Sequence, residues 1–167
     1  MKFHESHYDE YISKVEESNI HSELIEFKKR LPKDISQFRN LIIYGPSGSG
    51  KYSQTLHFIK HFSPSQLKYE KKMISQTEKG DYKYKISDVH YELDMALLGC
   101  NSKIIWHEVF GQIVDIVSMK KEKSGIIVCK NFHEIHSELL DIFYSYMQQY
   151  NHDNLAISLR FILITEN

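Results

Sequence analysis

One seven-residue stretch, Gly45-Pro46-Ser47-Gly48-Ser49-Gly50-Lys51, constrains this chain most, because of what stands on either side of it. Ahead of it, Asn40-Leu41-Ile42-Ile43-Tyr44 is a short, continuous apolar run, the pattern of a strand buried on both faces. Behind it, Leu56, Ile59 and Phe62 return at helical spacing over residues 51–62, until Ser63-Pro64 ends the pattern. A GxxxxGK sequence between a buried strand and a helix is the setting of a phosphate-binding loop. Gly48 and Gly50 let the backbone turn so that several N–H groups converge on one anion. The helix adds the positive end of its dipole, and Lys51 adds a full charge for the outer phosphates.

The rest of the chain repeats the alternation of strand and helix. Residues 8–30 carry Tyr11, Val15, Leu24, Ile25 and Phe27 among many charges, as one or two amphipathic helices would. Leu67–Ile74 and Tyr82–Ile86 flank the turn Lys79-Gly80-Asp81 and read as a hairpin. His90–Met95 is a second core strand, and Ser102 is placed to cap a helix over 103–119. Residues 126–129 form a third buried strand, 135–150 a helix and 159–164 a fourth strand. Strands alternating with helices predict a mostly parallel sheet covered on both faces, a three-layer α/β/α architecture.

The residues that should handle a metal depart from the phosphate-loop pattern. After the lysine the pattern calls for Ser or Thr, whose hydroxyl ligates the Mg²⁺ bridging the nucleotide phosphates. Tyr52 stands there instead, and Ser53 offers a hydroxyl one helical step later, rotated by about 100 degrees. A hydrolytic site also ends a later strand with an Asp for the metal shell, often followed by a Glu that polarises water. Strand 126–129 ends in Lys130-Asn131: an ammonium replaces the first acid and an amide the second. Glu134, three residues on, reads as support for the start of the next helix rather than as a substitute. No catalytic residue and no metal ligand is assigned.

Composition narrows the class further. At 167 residues, the chain suits one domain with a real core. A net charge of −1 removes any global basic field for nucleic acid, and two cysteines cannot build a disulfide framework, which predicts a reducing, intracellular setting. No apolar run approaches a membrane span, and the opening MKFHESHYDEY lacks the apolar stretch of a signal peptide, so no membrane partner is expected. The abundance of Lys, Ile, Asn and Tyr reads as the codon usage of an AT-rich genome, such as that of a large DNA virus. Residues 68–85 gather six lysines against three acids, a local charge of +3, with Tyr69, Tyr82 and Tyr84 among them. That cluster suits contact with a phosphate backbone or a partner subunit, and equally a solvated hairpin.

In order and spacing, three segments resemble the small subunits of replication factor C, sliding-clamp loaders of the AAA+ class. The likeness is best to the subunit whose own ATPase site is degenerate. The first segment is Asn40–Lys51, with its Tyr-Gly-Pro-Ser-Gly wording. The second is Asp88–Met95 with Gly99-Cys-Asn-Ser102. The third runs from strand 126–129 through Met147-Gln-Gln-Tyr150 to Arg160-Phe-Ile-Leu163. The resemblance implies a P-loop AAA+ core over 35–167 behind an N-terminal helical segment at 1–34, without the family's lid, collar and Ser-Arg-Cys segment. It implies a cofactor, ATP or ADP, held by Gly45 to Lys51 with Tyr52 and Ser53, while Lys130 and Asn131 form a degenerate acidic motif with impaired Mg²⁺ handling. Its implied partners are other clamp-loader subunits, the sliding clamp and primer–template DNA, with Lys71, Lys72, Lys83, Lys85 and Lys103 as contacts, in the nucleus or a viral replication compartment. Glu166-Asn167 fall near the sensor position without a clean match.

The remaining constellations carry less. His133-Glu-Ile-His136 has the wrong spacing for a helical zinc motif, His57 and His61 share a helix face in a structural or surface role, Cys129 reads as a buried strand residue, and Trp106 reads as a packing anchor. The loop wording also occurs in guanylate-type nucleoside monophosphate kinases, but those place the loop near the start and clamp two phosphates with arginines. Here the loop begins at residue 45, and only Arg160 lies beyond it. An ATPase-dead interaction domain is the third reading.

Overall fold

Four strands run parallel and carry the alternation seen in the sequence; a computed structural model describes residues 5–151 and 156–166. Two helices come first, α1 (Tyr8–Glu17) and α2 (Ser22–Lys29), followed by strand β1 (Leu41–Tyr44) and helix α3 (Lys51–Lys60). The hairpin β2 (Lys71–Thr77) and β3 (Gly80–Ile86) leads to β4 (His90–Asp94), α4 (Ser102–Ser118), β5 (Ser124–Lys130), α5 (Ser137–Gln149) and β6 (Ser158–Thr165). The sheet order is β1-β6-β5-β4-β3-β2, parallel from β1 to β4 and antiparallel across the hairpin. Met1–His4 of the opening segment, and Asn167 of the candidate sensor pair, lie outside the described residues.

Period-two alternation along the central strands divides two cores between the faces of the sheet. On one face Tyr91, Leu93, Ile127, Cys129, Phe161 and Leu163 pack under α4 and α5. Trp106 is fully buried there against Phe110 and Phe143, so it is the packing anchor its spacing suggests. On the other face Ile126, Val128, Ile162 and Ile164 pack under α3, together with Tyr8 and Ile12 of α1. The architecture is three-layered, as predicted.

Several expectations need correction. β1 is not buried on both faces: it is an edge strand, and Ile42 and Tyr44 are 66% and 71% exposed. An apolar run records composition and not the number of neighbours, so it cannot distinguish an edge from a centre. Ser102 does not cap α4 but is its first residue; Asn101 stands in the cap position and its side chain makes no capping bond. Glu134 lies in a separate 3-10 turn, Phe132–Glu134, and the acceptor at the head of α5 is the His136 ring, which takes the Glu138 N–H. Tyr82 and Tyr84 point into the core instead of standing beside the hairpin lysines; Tyr69 alone of those three is exposed.

Candidate functional site

The carboxyl ends of β1, β6, β5 and β4 open on one side of the sheet, where α/β folds place their ligands. Residues 45–50 turn there from β1 into α3. Gly48 and Gly50 have φ of +73° and +82°, a conformation that a side chain would strain. The Lys51 ammonium donates to the carbonyls of Gly45 and Pro46 at 2.6 and 2.7 Å, so the lysine arches back over the loop. The N-terminal segment holds the loop from outside. His21 Nε2 donates to the Ser49 carbonyl at 2.9 Å, and Asn19 Oδ1 accepts from Gln54 of α3 and from the His21 N–H. A cleft of about 420 Å³ lies beside the loop, lined by Leu24, Phe27, Ile42, Tyr44 and Phe58 as well as Ser49 and Lys51.

Tyr52 turns away from the loop into the sheet. Its hydroxyl lies 2.8 Å from both carboxylate oxygens of Glu92 on β4, and the Tyr11 ring meets its ring edge-on at 4.9 Å. The Lys130 ammonium, at the end of β5, sits 4.3 Å from the centroid of the Tyr52 ring and 3.7 Å from Glu92 Oε1. Behind Glu92 the network continues. Ser87 Oγ accepts the N–H groups of Val89 and His90, which fills its lone pairs, so its proton goes to His90 Nδ1 at 2.5 Å. His90 Nε2–H is then left to donate to Glu92 Oε2 at 3.3 Å.

Burial by itself would raise the Glu92 carboxyl, yet the donors around it, His90 first and then Lys130 and Tyr52, hold it below the usual glutamate range. Burial and the neighbouring Glu92 charge push the Tyr52 phenol far up, so it stays a donor. Burial likewise raises the Cys129 thiol, which is an inert strand residue.

The residues do not fit a magnesium ion. Tyr52 commits its one hydroxyl proton to the Glu92 carboxylate, which also takes His90 on Oε2. Asp94, at the end of β4, accepts from the Ala96 N–H and from Asn131 Nδ2 through the same oxygen. Asn131 adopts φ +51° to make that contact, which turns its amide toward Asp94. A divalent ion about 4 Å from the Lys130 ammonium would meet roughly 8 kcal/mol of repulsion at an effective dielectric of about 20. Among the described residues, no group of three or more His, Cys, Asp or Glu side chains could hold a metal. His133 and His136 spend their Nδ1 atoms on the backbone N–H groups of Glu166 and Glu138.

The structure brings the loop, Tyr52, Lys130 and Asn131 to one end of the sheet, with Ser53 half-buried on α3 beside them. It does not bring the hairpin lysines there, because β2 forms the opposite edge. Lys72 pairs with Glu5 at 2.5 Å, Lys85 pairs with Glu70 at 3.0 Å, and Lys103 lies 3.9 Å from Glu138. Lys71 and Lys83 are exposed on the hairpin. Glu92, His90 and Asp94 escaped the sequence reading, although alternation in His90-Tyr-Glu-Leu-Asp94 puts these three polar side chains on one face.

No protein-family model matches the chain, and no curated protein matches it. Among solved structures it is similar to C. elegans PCH-2, an AAA+ ATPase, with a TM-score of 0.53 and 14% identity over 98% of this chain. The chain spans 45% of the PCH-2 chain it matches. At that identity the likeness concerns architecture, and with the sheet order and the loop it establishes one point: the chain has the fold of a P-loop AAA+ core.

Proposed function

We propose that this chain is a nucleotide-binding AAA+ subunit of the clamp-loader type, which holds ATP or ADP without hydrolysing it. The reading rests on one exchange of charge. A phosphate loop with its lysine faces Lys130 and Asn131, where a hydrolytic site keeps two acids. An ammonium cannot ligate a metal, and an amide cannot take a proton from water. The apolar cleft against Lys51 suits a nucleobase.

The resemblance to replication factor C small subunits supplies the finer part. Residues 35–167 are the nucleotide-binding core, and 1–34 a helical segment that precedes it. In a hetero-oligomeric ring, this subunit keeps geometry while neighbouring sites turn over, and the ring opens a sliding clamp and loads it on primer–template DNA in replication and repair. Lys71, Lys72, Lys83, Lys85 and Lys103 are the candidate contacts to DNA or a partner; Lys72 and Lys85 must first give up Glu5 and Glu70. The place of action in this reading is the nucleus or a viral replication compartment.

Arg160 weighs against a monophosphate kinase. It sits near the start of β6, before the residue paired with Leu41, at the end of the sheet away from the loop, and its guanidinium binds Asn151 and the Ser36 carbonyl.

Thermal-shift and turnover assays on the purified chain test the reading. ATP or ADP is expected to raise the melting temperature, Lys51→Ala to abolish that rise, and ATP hydrolysis to stay at background. Robust turnover would refute the non-hydrolysing part, stabilisation by GMP would favour the kinase, and indifference to every nucleotide would leave an interaction domain. Co-expression with clamp-loader subunits is expected to yield a hetero-oligomer; its absence would remove the clamp-loading part.

A further inference from the structure

We infer that Lys130 serves as the built-in cation of this site, so that the chain binds nucleotide polyphosphate in its metal-free form. The inference rests on the nucleotide-binding reading and adds the ionic form of the ligand.

Lys130 stands on β5 where a metal-holding acid would stand, and its ammonium lies over the ring of Tyr52, the residue directly after Lys51. Two ammonium groups therefore flank the head of α3, one from the loop and one from the sheet. The nearby carboxylates already take part in contacts within the chain. Glu92 is 5% exposed, shares the one Tyr52 proton between its oxygens and takes His90 on Oε2; Asp94 is held through Oδ1 by Ala96 and Asn131.

The Lys130–Glu92 contact is the loosest in this network. At 3.7 Å it exceeds hydrogen-bond length, whereas the Tyr52 contacts are 2.8 Å. Glu92 keeps its other donors when the ammonium leaves, so Lys130 is the member that can move. Its side chain is 33% exposed on a flexible stem, so the head group is free to turn toward an anion at the head of α3. A phosphate oxygen offers the ammonium a charge-assisted hydrogen bond that a ring face does not.

Calorimetric titration of ATP into the purified chain, in EDTA and in excess Mg²⁺, tests this. The affinity is expected to be at least about tenfold lower in excess Mg²⁺, which withdraws ATP into its complex, whereas an ion-dependent site would bind more tightly there and equal affinities would overturn the inference. Lys130→Met is expected to weaken binding in EDTA by about tenfold, and Lys130→Arg to keep it, with melting temperatures of the free proteins verifying the fold. Lys130→Asp is expected to transfer the dependence to Mg²⁺. Binding by the unmodified chain that requires Mg²⁺, or a folded Lys130→Met with full affinity in EDTA, overturns the inference and leaves nucleotide binding standing. Absence of binding in both buffers overturns nucleotide binding and this inference together.

Discussion

The Tyr52 hydroxyl lies 2.8 Å from each carboxylate oxygen of Glu92, joining the first turn of α3 to the buried strand β4 across 40 residues of sequence. A hydrogen bond to a buried charge is worth more than one between neutral groups, because its loss leaves the charge short of a donor.

Tyr52→Phe is therefore expected to destabilise the fold by about 1.5–3 kcal/mol, visible as a lower urea midpoint at unchanged slope. Glu92→Gln is expected to cost a similar amount, and the double variant less than the sum, since both remove the same contact. Strict additivity in the denaturation cycle would show that the two side chains do not interact in solution.

Acid should expose the same network. Glu92 titrates below its ordinary value in the folded chain, so the unfolded chain takes up its proton first as pH falls. The Glu92 contribution is then complete above the ordinary glutamate value of 4.5, and is lost as pH drops below it toward the folded value. Denaturant melts over a pH series are expected to show this acid limb in the unmodified chain, and a shallower one in Glu92→Gln. Equal limbs would place the acid sensitivity elsewhere.

The edge strand gives a prediction of another kind. Ile42 is 66% exposed on β1, which has one neighbour. An unpaired strand edge offers its N–H and C=O groups to another chain, and a short strand and a lysine both oppose such pairing. Any concentration-dependent self-association through this edge is expected to fall in Ile42→Lys, read by sedimentation velocity, while stability stays within about 0.5 kcal/mol, as for exposed positions generally. Unchanged association would show that other surfaces cause it.

What the sequence revealed and what it hid follow one physical division. The strand–loop–helix around residues 45–51 was legible because its signals are contiguous: glycines, lysine, strand and helix occupy one short segment. The alternation of elements was legible for the same local reason, including Trp106 and Cys129 as core residues. Hidden were the relations that cross the sheet. Tyr52 reads locally as a failed metal ligand, and only the packing of α3 on β4 shows that its hydroxyl belongs to Glu92. The edge position of β1, the inward turn of Tyr82 and Tyr84, and the pairing of Lys72 and Lys85 with acids depend on partners that no local pattern names.

The four-residue strand that leads into residues 45–50 is fastened along one flank, by Ile162–Thr165 of β6. The loop has a second anchor, the His21 contact to the Ser49 carbonyl. A molecule lying along the other flank of Leu41–Tyr44 would enter the cleft that also reaches Ser49 and Lys51, so strand edge and loop would be occupied together.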